Sequence, residues 1–267
     1  MKKIRLCLLN IEDKERIMVK VVLHGCNGRM GQMLSGLIAS DEEMTVIAGI
    51  EPSGEAKNDY PVYKSFEEFK GEADVIIDFS TAAAIDGLLN YCEKTHTPLV
   101  LCSTGLSESQ LERVEKLAGE SAVLVSANMS LGINVLLKLL KNVTKTLYGN
   151  GFDIEIVEKH HNQKLDAPSG TALALADVMK NELDNITYNL NRTEVRKKRD
   201  REEIGISAVR GGTIVGEHEI IFAGIDEVIE IKHTAYSRAI FAKGAMSAAK
   251  FLKDKGAGKY NMSDVIG

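Results

Sequence analysis

The sequence predicts an α/β protein with a doubly wound parallel sheet in one domain and a second, mixed α+β domain with a largely antiparallel sheet. Three observations carry this reading. From Met18 to Asn128, short β-rich apolar runs alternate with helix-length segments, as βαβ crossovers require. A glycine triplet, "GCNGRMG", follows the first run and opens a helical pattern. After Ser130 a long helix, one strand and another helix give way to closely spaced strands joined by Gly-rich turns.

Taken in order, the strands of the first part read "VKVVLH", "TVIAGI", "DVIIDF", "PLVLC" and "AVLVSA". Helical patterns fall between them at "GRMGQMLSGLIAS", "SFEEFK", "TAAAIDGLLNYCEKT" and "SESQLERVEKLAG", the last opened by a serine cap. The second part begins with the helix "GINVLLKLLKNVTKTLY", the strand "FDIEIVEKH" and the helix "GTALALADVMKNEL". It continues through "ISAVRGGTIVGEHEIIFAGIDEVIEIKHTA", which predicts an antiparallel meander of about three strands. A closing helix, "RAIFAKGAMSAAKFLKDKG", has an Ala/Phe/Met face suited to packing back on the first domain. The domains are therefore expected at 18–128 with 238–267, and at 129–237.

The first 17 residues read as an extension. Met18 begins a clean strand, and Lys14, Glu15 and Arg16 correspond to codons that resemble a purine-rich ribosome-binding site, so translation is expected to start at Met18. A native mass that includes Met1 would refute this.

Composition removes several function classes. The net charge of −5 opposes broad phosphate-backbone binding, and the one basic cluster, "RKKRDR" at 196–201, is short and flanked by acids, so it reads as a solvated loop or helix end. No nucleic-acid partner is expected. No apolar run has membrane length, no secretory signal is recognisable, and Cys7, Cys26, Cys92 and Cys102 form no C-x-x-C pair. A reduced, cytoplasmic protein with no membrane partner is the expectation.

Gly25, Gly28 and Gly31 let a backbone turn tightly against a pyrophosphate at a helix start. Glu51 ends the next strand and is placed to take a ribose diol. Strand, loop, helix and acid in register point to dinucleotide binding by a Rossmann-type domain. Later strand ends put small polar groups on the same edge, at Phe79 to Thr81, at Cys102, Ser103 and Thr104, and at Ser126, Ala127 and Asn128. Cys26 and Cys102 have no base adjacent in sequence and read as packing residues.

The densest polar segment is "EKHHNQKLDAPSGTA", 158–172. His160 and His161 end a strand, where neighbours face opposite sides, so either the strand stops there or the two have unequal tasks. A metal would need further ligands that the spacing does not offer, and none is expected. A histidine exchanges protons near neutrality without tuning, and Lys164 can grip a carboxylate or give up a proton. The Pro-Ser-Gly-Thr turn then opens a helix whose N–H groups suit an anion, with capping by Ser169 or Thr171 compatible with that role.

These motifs, with "VRGGTIVGEHEIIF" and "HTAYSR" after them, resemble the dihydrodipicolinate reductase (4-hydroxy-tetrahydrodipicolinate reductase) family of bacterial lysine and diaminopimelate synthesis. The resemblance runs from Met18 to the C-terminus. It implies that His160 donates and accepts the proton, that Lys164 is a proton donor and carboxylate partner, and that His161 with the N–H groups of Gly170 and Thr171 holds a small cyclic dicarboxylate. It implies cofactor contacts at Gly25, Cys26, Asn27, Gly28, Arg29 and Met30, at Glu51, at Cys102, Ser103 and Thr104, and at Ser126, Ala127, Asn128 and Met129. Arg238 matches a family arginine to which no task is assigned. A homotetramer built on the second domain's sheet is implied as well. Where some relatives have an arginine after the ribose-binding acid, this chain has Pro52, so NADH is expected to serve at least as well as NADPH, with Arg29 and Lys57 as alternative cations. Two rivals remain at this level: another two-domain dehydrogenase acting on an amino acid or semialdehyde, and a non-catalytic dinucleotide sensor.

Overall fold

A computed structural model describes residues 18–194 and 196–267. The expected extension 1–17 lies outside the described residues. The chain divides into two compact units, one running to Met129 and including Phe241–Gly267, the other Ser130–Ile240.

The first unit contains seven strands: β1 Val19–His24, β2 Met44–Ile50, β3 Val62–Tyr63, β4 Val75–Asp78, β5 Leu99–Leu101, β6 Ala122–Val125 and, near the C-terminus, β12 Gly258–Tyr260. They form one sheet in the order β12-β6-β5-β4-β1-β2-β3, with parallel pairing throughout. Every residue of β4 and β5 is buried, as expected for strands covered on both faces. The helices between them are α1 Arg29–Ile38, α2 Ile85–Thr95 and α3 Glu108–Ala118. A capping box starts α3, with Ser107 accepting from the Gln110 N–H and Gln110 accepting from the Ser107 N–H, a device worth about 1 kcal/mol. The chain moves outward from β1 to β3 and then returns past β1 to β4. The topological switch therefore falls between β1 and β4, where doubly wound sheets open a crevice at the strands' carboxyl ends.

Two elements here escape sequence periodicity. The two residues of β3 and the three of β12 are too short to alternate visibly. The segment "SFEEFK" forms a turn, not the expected helix. The Glu68 carboxylate accepts the Lys64 N–H at 3.0 Å, a local bond that competes with a helical turn, and Phe66 and Phe69 are buried in the core that includes Leu88 and Leu89. The C-terminal helix, Ala239–Leu252, does belong to this unit from Phe241 onward. Gly244 makes that packing feasible, since a Cβ there would lie 1.6 Å from the Met129 carbonyl oxygen. Lys250 Nζ adds an ion pair to Asp41 at 2.9 Å.

In the second unit, α4 Leu131–Gly149 and α5 Gly170–Lys180 pack on a five-stranded mixed sheet. Its strands are β7 Asp153–His160, β8 Thr187–Asn189, β9 Glu203–Arg210, β10 Gly216–Ala223 and β11 Val228–Ala235, ordered β11-β10-β7-β9-β8. Antiparallel ladders join β10 to β11 and to β7; parallel ladders join β9 to β7 and β8. The expected meander is thus half realised. The chain does reverse at Gly224, but β9 and β10 are not neighbours, because β7 lies between them. Gly211 N–H donates to the His160 carbonyl at 2.9 Å and Asn162 N–H to the Gly212 carbonyl at 3.2 Å, so the Gly-rich turn passes the end of β7. A turn signal specifies a reversal but not which strand fills the gap beside it.

The basic cluster lies in a loop with Arg196, Lys197 and Lys198 exposed, but two of its cations have fixed partners. Arg199 bridges Asp153 at 3.0 Å and Glu155 at 2.9 Å, and Arg201 donates to the Phe152 carbonyl at 2.9 Å. These cations tie the loop before β9 to the start of β7 rather than standing in solvent. Among the described residues, no helix is long and apolar enough to cross a membrane.

Candidate active site

Strand β7 alternates regularly between partly exposed and buried positions, which puts Ile154, Ile156, Glu158 and His160 on one buried face. The two isoleucines join the aliphatic core under α4 and α5. The two titratable residues occupy the strand's carboxyl end, where that core gives out. His160 is the last residue of the strand and His161 lies beyond it, so the strand stops between the adjacent histidines.

Four elements deliver the partners. His160 stands opposite Arg210 in the parallel β7–β9 register, and Glu158 stands opposite His218 in the antiparallel β7–β10 register. Ser169 caps α5, accepting the Ala172 N–H at 3.1 Å. Glu158 Oε2 lies 2.6 Å from His160 Nδ1 and accepts from Arg210 Nη1 at 2.8 Å. Its Oε1 accepts from Arg210 Nη2 at 2.7 Å and from the Ser169 N–H at 3.0 Å. A bidentate guanidinium and a backbone donor are what a buried carboxylate needs to stay charged. Burial pushes the Glu158 carboxyl up, but the bonds from Arg210, His160 and Ser169 outweigh it and hold the group below the usual carboxylate range.

For His160 the balance runs the other way. Burial lowers it below the ordinary histidine value, the bond and charge of Glu158 raise it, and the charges of Lys164 and Arg210 lower it again. His218 crosses His160 edge to face, ring centroids 5.2 Å apart. Its Nε2 is 3.0 Å from the Ser169 hydroxyl, and burial, then the neighbouring His160, pushes it down to about 4. His218 is therefore a neutral wall. His160 Nε2 lies against Gly216, where a Cβ would meet it at 3.1 Å.

Lys164 sits in the loop after β7, and its Nζ is 2.8 Å from Asp166 Oδ1. The Asp166 carboxyl is held below its usual range first by Lys164 and also by the Gly170 N–H. Lys164 and the first N–H of α5 therefore both favour the charged form of one carboxylate. Thr171 follows in the same first turn. Among the described residues no three His, Cys, Asp or Glu side chains are grouped as metal ligands would be.

In the first unit, the glycine loop lies at the switch point. Gly25 has φ +78°, and a Cβ on it would be 2.7 Å from the Phe79 carbonyl oxygen beyond β4. A Cβ on Gly31 would be 2.3 Å from the Gly25 carbonyl oxygen and 2.5 Å from that of Cys26, so helix and loop touch only because the residue is glycine. Gly28 caps α1 with no side chain to occupy the first-turn donors. Arg29 and Met30 open the helix. Asn27 Nδ2 donates to the Glu55 carbonyl at 2.8 Å, tying this loop to the turn after Glu51. That turn closes by a bond from the Gly54 N–H to the Glu51 carbonyl at 2.9 Å. A cradle of this shape fits a dinucleotide pyrophosphate, with Glu51 beyond it.

The other strand-end residues border the same edge. Asp78 is fully buried below them, 2.8 Å from His24 Nδ1, with its Oδ2 accepting the Ser103 N–H at 3.3 Å. Thr104 and Ala127 are exposed, and Met129 is buried. Ser126 Oγ donates to the Asn128 carbonyl at 2.9 Å. Cys26 is buried and raised to about 11 by desolvation and the Glu51 charge, and Cys102 is raised by burial and the Asp78 charge, so neither is a ready thiolate. Lys57 pairs with Glu55 at 3.8 Å. Arg238 is exposed, in the second unit.

Sequence reading alone did not find Glu158, Arg210, His218 or Asp166. Glu158 had a usable signal, since it lies two residues before His160 on one strand face. Arg210 and His218 depended on strand order.

Comparisons with known proteins agree along the chain. The model for dihydrodipicolinate reductase, N-terminus, matches residues 19–129, and that for its C-terminus matches residues 132–266. The 4-hydroxy-tetrahydrodipicolinate reductase of Clostridium novyi (strain NT) is 47% identical over 250 residues, 93% of this chain and 98% of that protein. The enzyme of the same name from Caldanaerobacter subterraneus subsp. tengcongensis is 49% identical over 255 residues, 94% of this chain and 99% of that protein. A dipicolinate-bound dihydrodipicolinate reductase from Paenisporosarcina sp. TG-14 shares the fold, with a TM-score of 0.77 at 23% identity over 91% of this chain and 97% of that one.

Proposed function

Because this chain belongs to the dihydrodipicolinate reductase family, we propose that it reduces 4-hydroxy-tetrahydrodipicolinate to tetrahydrodipicolinate, in lysine and diaminopimelate synthesis, with a nicotinamide dinucleotide as hydride source. The observation that carries the site reading is the Lys164–Asp166 ion pair, with the Gly170 N–H acting on the same carboxylate, in the loop that follows His160. A substrate carboxylate takes the place that Asp166 fills, held by Lys164, by His161 and by the N–H groups of Gly170 and Thr171 at the start of α5.

The nicotinamide, when bound, supplies the hydride; one substrate, one NAD(P)H and one proton give tetrahydrodipicolinate, NAD(P)+ and water. His160 or Lys164 delivers the proton to the nitrogen-conjugated system of the ring. A dianion beside His160 offsets the Lys164 charge that lowers it, so binding draws a proton onto the imidazole when one is required. In the first unit, Gly25 to Met30 receive the pyrophosphate, Glu51 the ribose, and Cys102 to Thr104 with Ser126 to Met129 border the nicotinamide end. The first unit then serves as the dinucleotide domain, and the second as the substrate and oligomerisation domain. The working assembly is a cytoplasmic homotetramer without a metal, in line with the family resemblance.

Cofactor choice follows from Glu51 and Pro52. A carboxylate with no cation directly after it repels a 2′-phosphate, and Lys57 is partly engaged by Glu55. In a coupled assay with the substrate generated in situ, nicotinamide absorbance should fall with either cofactor, and kcat/KM with NADH should equal or exceed that with NADPH. No turnover with either would remove the proposed reaction, and a strong NADPH preference would remove the Pro52 argument alone.

A further inference from the structure

One heavily bonded and fully buried side chain in the second unit has no part in the proposed chemistry. Glu158 is fully buried, and its two oxygens receive four bonds, two from Arg210, one from the Ser169 N–H and one from His160. A carboxylate offers about four lone-pair sites, so this one is saturated and cannot reorient. Burying a carboxylate with a guanidinium is a poor source of stability compared with apolar packing. The strand face it shares is otherwise aliphatic, through Ile154 and Ile156. Its cost and its geometry both direct attention to the one partner that could use it, the imidazole two residues on.

We propose that Glu158, clamped by Arg210 and the Ser169 N–H, is the positioning residue that fixes His160 as the Nδ1–H tautomer and turns Nε2 toward the substrate. An ionised carboxylate only accepts, so the nitrogen 2.6 Å from it must carry hydrogen. Nε2 then remains as the atom that gains and loses the exchanged proton, on the side of Gly216, where a Cβ would lie 3.1 Å from it. The clamp holds its register because Arg210 comes from β9, opposite His160, and its Nη2 also donates to the Asp166 carbonyl at 2.6 Å. Ser169 comes from the cap of α5. Thus β9 and the substrate-facing helix start meet on one carboxylate, and the loop after β7 holds the Arg210 that clamps it. The charged and titratable groups facing His160 are Glu158 from β7, Arg210 from β9, His218 from β10 and Lys164 from the loop.

This assignment rests on His160 being the proton-exchanging group, and the test separates the two. Glu158→Gln should lower kcat by at least tenfold with the dinucleotide Kd unchanged. It should also shift the limb of the kcat profile that falls with rising pH toward lower pH, because the carboxylate that favours imidazolium is gone. Arg210→Gln should move the same limb toward higher pH, since it removes a cation that opposes imidazolium. Mere structural damage does not produce opposite shifts. In the unmodified protein, histidine 15N shifts should report Nδ1–H for neutral His160, which requires no variant to fold. An Nε2–H tautomer, or a Glu158→Gln enzyme with full kcat and an unmoved limb, overturns the proposal. If His160→Gln assayed alongside retains turnover, the proton-exchange reading itself fails, whereas a dead His160→Gln beside a normal Glu158→Gln removes only the positioning role.

Discussion

His160→Gln should lower kcat by about 10²- to 10³-fold, the scale of a lost positioned proton donor, while leaving the dinucleotide Kd unchanged. Glutamine keeps the volume and a hydrogen-bonding end but has no exchangeable proton near neutrality. The nucleotide cradle lies in the other compact unit, so its affinity is a sound internal control. The wild-type kcat/KM profile should fall with rising pH through a value below that of an ordinary histidine, because burial is the largest influence on the free imidazole and acts downward. That limb should be absent from the variant. Steady-state kinetics across pH, with dinucleotide titration of the same samples, check both statements. Full turnover in His160→Gln would move the proton to Lys164.

Gly31→Ala should weaken dinucleotide binding at least tenfold, about 1.4 kcal/mol, and lower stability by about 1–3 kcal/mol through overpacking. The added methyl would lie 2.3 Å from one carbonyl oxygen and 2.5 Å from another, both backbone atoms that yield only if α1 withdraws from its loop. That withdrawal carries the first-turn N–H groups away from the pyrophosphate they are placed to meet. Gly36→Ala is the matched control: it lies in the same helix with nothing within 4 Å of the added Cβ. It should be neutral or stabilising by about 0.5–1 kcal/mol, because alanine is the better helix former. Nucleotide titration and urea denaturation of the pair separate the clash from a general effect of filling a glycine. Equal behaviour of the two variants would remove the close-approach argument.

The first unit was readable because its information is local. Strands buried on both faces show as continuous apolar runs, and a glycine triplet shows where a helix meets a loop. What failed there was short or contested: two- and three-residue edge strands carry no period, and Phe66 and Phe69 mimic a helical spacing while lying in a turn. In the second unit the polar segment identified itself by composition, and the strand's end at His160 settled the geometry of the paired histidines. The clamp around Glu158 stayed hidden for a different reason. Arg210 reaches the site only because β9 pairs in parallel with β7, and a Gly-rich turn between β9 and β10 suggests that those two are neighbours instead. Pairing partners are chosen by tertiary packing, which one sequence does not display.

The central claim is that this chain joins a hydride source to a cyclic dicarboxylate held by the Lys164 and Gly170 grip. The most direct measurement uses nicotinamide cofactor deuterated at the transferred position, with substrate generated in situ, and reads the product by mass spectrometry. Tetrahydrodipicolinate carrying one deuterium in a ring C–H bond is the predicted result. Consumption of the cofactor with no deuterium in that product, or no consumption at all, would contradict the account.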